Sequence, residues 1–281
     1  MKKIAWITDT AAQLDEAFIQ RHSVYVLPLS VVFDDGSYRE SIDLTQGEFY
    51  DKLRAAKVSP KTSQPAIGEM TALYEKLQSE GYDLAVALHL SSGLSGTFNS
   101  AQSAAEMRDF PVYPIDSKIG SFPMGKMIEI GNELFASGKE PEEVVETINQ
   151  LTAKSHLSFI PSSLNQLHKS GRVSGTQAFL SNILNIKVVI TFVDGVTVMK
   201  EKVRSNRRAK ESVNTALRAD MESGMVPEVA VIHCNNEAGA QAWKAELTKE
   251  FSGLKVDVIQ LSVCVGVHAG EGTTGLSWVS Y

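Results

Sequence analysis

Strand-like and helix-like segments alternate through the first 137 residues, and that rhythm restricts the fold more than any other property of the sequence. Strands are expected over residues 3–8, 24–29, 84–90 and 112–115, and helices over 13–22, 45–57, 65–80, from 97, and over 120–137. Parallel neighbours cannot be joined by a tight turn, so a helix must cross back over the sheet between them. The pattern therefore reads as α/β, with a mainly parallel sheet flanked by helices. Thr45 and Glu48 carry a capping-box signature, and Gly138 closes a later helix. Asp34, Asp35 and Gly36 mark a turn between residues 31–33 and 37–38, a small excursion outside that sheet.

After a helix over residues 140–153 the rhythm changes. A strand at 157–160 and a helix opened by Pro161 lead to an interruption at 171–175, followed by a strongly apolar helix over 176–184. Residues 187–193 and 196–202, joined at Asp194 and Gly195, read as an antiparallel hairpin. A helix over 205–221 with Ala209, Val213 and Leu217 on one face precedes a strand at 229–233, a helix over 237–250 and strands at 256–261 and 276–279. This half is mixed α/β. Two domains are expected, 1–153 and 154–281, and 281 residues with 43% hydrophobic content suffice for both cores.

A net charge of −6 argues against a general nucleic-acid binder, whose affinity rests on cations facing phosphates. No run approaches the roughly 20 apolar residues of a membrane helix, so no integral membrane segment is expected. Thr8 and Asp9 interrupt the first apolar run too early for a signal peptide, which points to a cytoplasmic protein. Cys234 and Cys264 lie far apart and outside any C-x-x-C spacing, and read as buried small hydrophobes rather than a metal site or disulfide.

Ligands of open α/β sheets bind beyond the carboxyl ends of the strands. Four segments there carry hydroxyls: Thr8-Asp9-Thr10, Thr62-Ser63-Gln64, residues 91–97 and Asp116-Ser117. Single Ser, Thr or Asp residues at such places are usually helix caps. Ser91-Ser92-Gly93-Leu94-Ser95-Gly96-Thr97 exceeds what a cap requires, combining four hydroxyls and two glycines where a helix begins. Unpaired N–H groups and the helix dipole favour an anion there, phosphate and carboxylate alike.

No P-loop motif is present. Gly270-Glu271-Gly272-Thr273-Thr274-Gly275 spells G-x-G-x-x-G but precedes a strand instead of opening a helix, so it reads as a flexible loop able to carry His268 to another surface. Ser95, Asp116 and His268 follow the chain order of an α/β-hydrolase triad, which leaves a serine esterase or lipase as the alternative. Thr97 stands where the second glycine of the nucleophile elbow belongs. Arg172, in a glycine-flanked loop, and Arg204, in the basic run 200–210, would suit a phosphate-bearing or acidic partner.

Taken in order, these motifs resemble the DegV family of bacterial fatty-acid-binding proteins. The resemblance is carried by Ile7-Thr8-Asp9-Thr10, Thr62-Ser63-Gln64-Pro65, residues 90–97, Asp116-Ser117, Gly171-Arg172-Val173-Ser174, Asn185-Ile186-Lys187, Asp194-Gly195, Lys202-Val203-Arg204 and His268-Ala269-Gly270. Val188 replaces a common proline after Ile-Lys, and Glu271 departs from H-x-G-P-G by placing a charge near the expected site. The resemblance implies one long-chain fatty acid enclosed between two domains, carboxylate on Ser/Thr groups and tail in an apolar tunnel, with no cofactor and no catalytic turnover by the protein alone. It further implies a separate ATP-dependent fatty acid kinase as partner, whose acyl phosphate product feeds phospholipid synthesis. About 14 methylenes at 0.8 kcal/mol each represent roughly 11 kcal/mol of transfer free energy, so a carrier must surround most of the chain.

Carried onto this sequence, the resemblance assigns the carboxylate to Thr62 and Ser95, helped by the Gly96 N–H and His268, with Ser63 and Ser92 next in line. Phe179, Leu180, Ile183 and Leu184 become tunnel-wall candidates. Arg172 and Arg204 become candidates for docking the kinase or steadying the phosphoryl group.

Overall fold

A computed structural model describes residues 2–174, 186–224 and 226–281. The apolar helix expected over 176–184, with Phe179, Leu180, Ile183 and Leu184, lies outside the described residues. Seven strands precede residue 117: β1 (Ile4–Asp9), β2 (Val24–Leu27), β3 (Ser30–Phe33), β4 (Gly36–Arg39), β5 (Lys61–Ser63), β6 (Leu84–His89) and β7 (Val112–Asp116). Four of them form the expected parallel sheet in the order β2-β1-β6-β7. Every residue of β6 is buried, as befits a strand covered on both faces.

Helices α1 (Glu16–Arg21), α2 (Gln46–Ala55), α3 (Ile67–Ser79), α4 (Thr97–Glu106), α5 (Phe122–Ala136) and α6 (Pro141–Thr152) complete this half. Thr45 and Glu48 close the capping box at the start of α2, with the Thr45 N–H donating to Glu48 Oε2 at 2.9 Å. α1 begins later than its apolar spacing suggests. Residues 10–12 wind into a single 3-10 turn, Gln13 takes a left-handed φ of 51°, and Asp15 then caps α1 by accepting the Phe18 N–H. Met70, Tyr74 and Leu77 of α3 pack with Ala5, Ala85 and Ala87 on one face of the sheet. Met127, Ile128 and Ile148 of α5 and α6 pack against Trp6 and Val86 on the other.

The remaining three strands form a separate antiparallel sheet, β4-β3-β5. This corrects one expectation. Thr62 and Ser63 belong to β5, paired with Val31 and Ser30 of β3, not to a loop running from the main sheet into a helix. A three-residue strand is too short for its alternation to show in sequence.

The second half holds β8 (Ser155–Ile160), β9 (Val173–Ser174), β10 (Lys187–Val193), β11 (Val196–Val203), β12 (Glu228–His233), β13 (Lys255–Gln260) and β14 (Thr274–Val279). They form one mixed sheet, β13-β12-β14-β8-β10-β11-β9. The hairpin β10–β11 turns at Asp194 and Gly195 with φ values of 48° and 83°, the positive angles a two-residue turn of this kind demands. Helices α7 (Leu164–Ser170), α8 (Asn206–Glu222), α9 (Glu237–Glu250) and α10 (Val263–Ala269) accompany it. Around Trp243 and Trp278, α8 and α9 seal one face. The other face contributes Leu157, Phe159 and Ile190 to a core continuous with that of the parallel sheet. Among the described residues, no helix is long and apolar enough to cross a membrane.

α10 is the second correction. The segment carrying His268 is helical, and the loop is confined to the short stretch between α10 and β14, where Gly270 and Gly272 take φ near 90°. Cys234 and Cys264 are buried free thiols.

Candidate functional site

A cavity of about 170 Å3 opens where β5, the loop entering α4, the start of α5 and α10 meet the second sheet. Leu29, Leu90 and Leu94 wall it from the first half, and Leu157, Phe159 and Phe192 from the second. Thr62, Ser63, Ser95, Gly96, Arg172 and His268 also line it, so six of the residues expected at the site face one space.

The polar cluster is built from three elements. From β5, Thr62 Oγ1 meets Nε2 of His268 on α10 at 2.8 Å. At the mouth of α4, Ser95 Oγ lies 2.8 Å from Thr97 Oγ1 and accepts the Thr97 N–H at 3.3 Å. The Gln64 side chain crosses directly over Gly96, where a Cβ would collide with it, and donates to Ser100 Oγ at 2.6 Å. Burial, with the positive charge of Arg172 adding to it, pushes the His268 pKa down to about 4. Its imidazole is therefore neutral at pH 7, and the buried Nδ1 has no hydrogen-bond partner among the described residues. Such a site offers hydroxyls, one neutral ring and a helix N-terminus to an anion at the end of an apolar chamber.

Ser92 is placed differently. Its hydroxyl donates to Asp116 Oδ2 at 2.5 Å and its N–H to Asp116 Oδ1, outside the cavity wall. Asp116 accepts the Lys118 N–H as well. The third member of the hydrolase alternative is thus engaged by Ser92 and Lys118, while His268 contacts Thr62; among the described residues, no hydrogen bond joins Ser95, His268 and Asp116 into a relay. Arg172 reaches the cavity with its Nη1 donating to the Ser170 carbonyl at 2.9 Å, whereas Arg204 is exposed just beyond β11 and does not line it.

Several contacts that shape the site have no sequence signature. Glu40, 2% exposed, accepts from Thr10 Oγ1 at 2.7 Å, Ser262 Oγ at 2.6 Å and the Val263 N–H at 2.7 Å, so it ties the end of β1 to the first turn of α10. Burial raises its pKa despite those donors. Ser91 donates to the carbonyl of Gly195 at 2.5 Å, seating the tip of the β10–β11 hairpin on the loop before α4. Glu271 pairs with Arg54 of α2 and accepts from Asn235 at 2.6 Å, so its charge is matched. Ser121, at the entrance to α5, is buried, lines the cavity and has a hydroxyl unpartnered among the described residues.

Comparison with known proteins is consistent along the whole length. The family model described as DegV matches residues 3–281. Protein DegV of Bacillus subtilis is 35% identical over 277 residues, covering 98% of each chain. The crystal structure of DegV from Bacillus subtilis, described as a fatty acid binding protein, superposes with a TM-score of 0.91 at 34% identity and full coverage of both chains. That of a fatty acid binding DegV family protein from Streptococcus agalactiae gives 0.93 at 30% identity, again with full coverage of both.

Proposed function

The chain belongs to the DegV family, and from that premise we propose that it binds one long-chain fatty acid in the cavity described above. The observation that carries this reading is the joining of apolar walls from both halves to a Thr62, Ser95, Gly96 and His268 cluster in a single space. The carboxylate accepts from the Thr62 and Ser95 hydroxyls and the Gly96 N–H. Neutral His268 donates its Nε2–H to Thr62 Oγ1, which leaves the Thr62 hydroxyl proton for the carboxylate, and the ring needs no counter-charge of its own. Charge-assisted hydrogen bonds of this kind are worth about 1.5–3 kcal/mol each, enough to hold the head group while the tail is buried. Segments 1–153 and 154–281 act as the two domains that enclose the ligand.

The protein serves as a carrier in the cytoplasm, presenting the acid to a fatty acid kinase that forms the acyl phosphate. Arg172, beside the cluster, and Arg204, on the exposed basic run, face the partner and the arriving phosphoryl group. Mass spectrometry of an organic extract from the purified, denatured protein tests the reading. One equivalent of a fatty acid is expected, and absence of any acid, together with failure to bind added palmitate or oleate, sinks it. Alanine at Arg172 and Arg204 is expected to leave acid binding unchanged and to impair phosphorylation of the bound acid by a kinase.

A further inference from the structure

A side chain that the carboxylate cluster does not use roofs the polar end of the cavity. Gln64 follows Thr62 by two residues, lines the cavity and is also exposed, so it stands between the chamber and solvent. Its carboxamide lies across Gly96: a Cβ on that glycine would fall on Gln64 Oε1, with Cδ at 2.9 Å and Nε2 at 3.0 Å. Nε2 donates to Ser100 Oγ at 2.6 Å, which joins the end of β5 to α4 across the loop that carries Ser95. Pro65 confines the Gln64 backbone to extended angles, so the side chain is carried on a stiff base.

That contact accounts for the glycine. Gly96 has φ −77° and ψ 3°, angles open to residues with a Cβ, so the backbone makes no demand for glycine there. What excludes a larger residue is the Gln64 carboxamide. The cover fits closely and is weakly held. Among the described residues its carboxamide makes one hydrogen bond, to a partly exposed serine, and a neutral bond of that kind favours the closed position by about two- to twelvefold. Exposed side chains change rotamer within nanoseconds, so the cover opens often without any movement of the fold.

We propose that Gln64 is a gate over the fatty-acid carboxylate: latched to Ser100 it shields the head group from water, and swung off Gly96 it opens the path by which an electrophile reaches a carboxylate oxygen. This rests on the fatty-acid reading above and adds to it a residue that governs access. In acyl phosphate formation the carboxylate oxygen bonds to the γ-phosphorus of a nucleoside triphosphate, while the bond from that phosphorus to the bridging oxygen breaks and the diphosphate leaves with the electron pair. The attacking and leaving oxygens lie roughly in line, an approach that a carboxamide over the head group blocks. While closed, the gate strengthens the hydrogen bonds from Thr62 and Ser95, because charges interact more strongly where water is excluded.

The test loads excess protein with palmitate and adds a water-soluble carbodiimide with methylamine, which converts a carboxylate it can reach to the N-methylamide. Mass spectrometry of the extract gives the initial rate of palmitoyl amide formation. Wild type, Gln64→Ala and Ser100→Ala are compared, with thermal melting as a check on folding and calorimetry for palmitate affinity. Both variants are expected to form the amide about two- to twelvefold faster than wild type, with dissociation constants within about threefold of it. Gly96→Ala, whose methyl displaces the carboxamide, is expected to raise the rate as well, and to add nothing to a protein that already carries Gln64→Ala. Equal rates in wild type and both single variants overturn the proposal. So does a loss of affinity of about tenfold in Gln64→Ala with no gain in rate, which would make Gln64 a head-group ligand. If palmitate does not bind the wild type, the fatty-acid reading fails first and this inference with it.

Discussion

Thr62 Oγ1 lies 2.8 Å from Nε2 of His268, although the two residues are 206 positions apart. One stands on a three-residue strand of a small antiparallel sheet and the other on a seven-residue helix of the opposite half. Neither element is stable alone, since both are short and each depends on packing for its persistence. Their side-chain contact therefore fixes the polar end of the cavity only when both halves are folded together.

Thr62→Val removes the hydroxyl while preserving shape, and Ser95→Ala removes the other carboxylate donor. Each is expected to raise the dissociation constant of palmitate ten- to a hundredfold, the loss of one charge-assisted hydrogen bond. Titration calorimetry checks this. Unchanged affinity in both variants would move the head group elsewhere, and ester cleavage abolished in Ser95→Ala would revive the hydrolase alternative.

Acid sensitivity of the ligand-free protein should trace to His268. Its folded pKa of about 4 lies below the unfolded value of 6.5, so the native state binds fewer protons between those limits. Stability from this group is complete above about pH 6.5 and is lost as pH falls toward 4, on the order of 3 kcal/mol over the window. Denaturant melts of wild type and His268→Gln across pH 4–7 measure it, and parallel profiles would dismiss the assignment.

Glu40 works in the opposite sense. Burial raises its pKa, so the folded state holds a proton that the unfolded chain has released, and stability falls as pH rises from 4.5 through the folded value. Glu40→Gln is expected to lack that slope. Glu40→Ala, which leaves Thr10, Ser262 and the Val263 N–H without their acceptor, should cost about 3 kcal/mol and loosen α10. Faster amide exchange at residues 263–269 would report the loosening, and unaltered exchange would rule it out.

The Arg54–Glu271 pair is partly exposed, 53% and 29% for the two side chains. A double-mutant cycle with alanine should give a coupling below about 1 kcal/mol that shrinks further in 0.5 M salt. A coupling well above that value would make the pair a structural clamp on the loop after α10.

How much of this was legible in the sequence depended on local chemistry. The hairpin at Asp194 and Gly195 could be read because its turn needs residues that tolerate positive φ, and α8 because Ala209, Val213 and Leu217 recur on one helical face. α10 could not. Val263, Val265 and Val267 alternate like a strand, and the segment is helical because Ser262 caps it and Glu40 accepts its first N–H, a contact spanning 223 positions. At the site, Thr62 and Ser95 sit in clusters of hydroxyls that spacing reveals. Glu40 lies between Arg39 and Ser41 in an ordinary polar stretch, and its role comes wholly from what the fold buries around it.

Gly93 and Gly195 are the two bare stretches of backbone on which the hairpin and the loop before α4 rest. A Cβ at Gly93 would stand 2.6 Å from the Gly195 carbonyl oxygen, and one at Gly195 would stand 2.8 Å from the Ser91 hydroxyl. The halves meet there at the least separation two main chains permit, so the contact acts as a gauge block. Even a single methyl would be a shim, prising the hairpin outward and with it Phe192 and Thr197 of the cavity wall. The calibre of the chamber is thus set partly at two positions that do not line it, and bulkier cargo could be accommodated by changing the spacer instead of the wall.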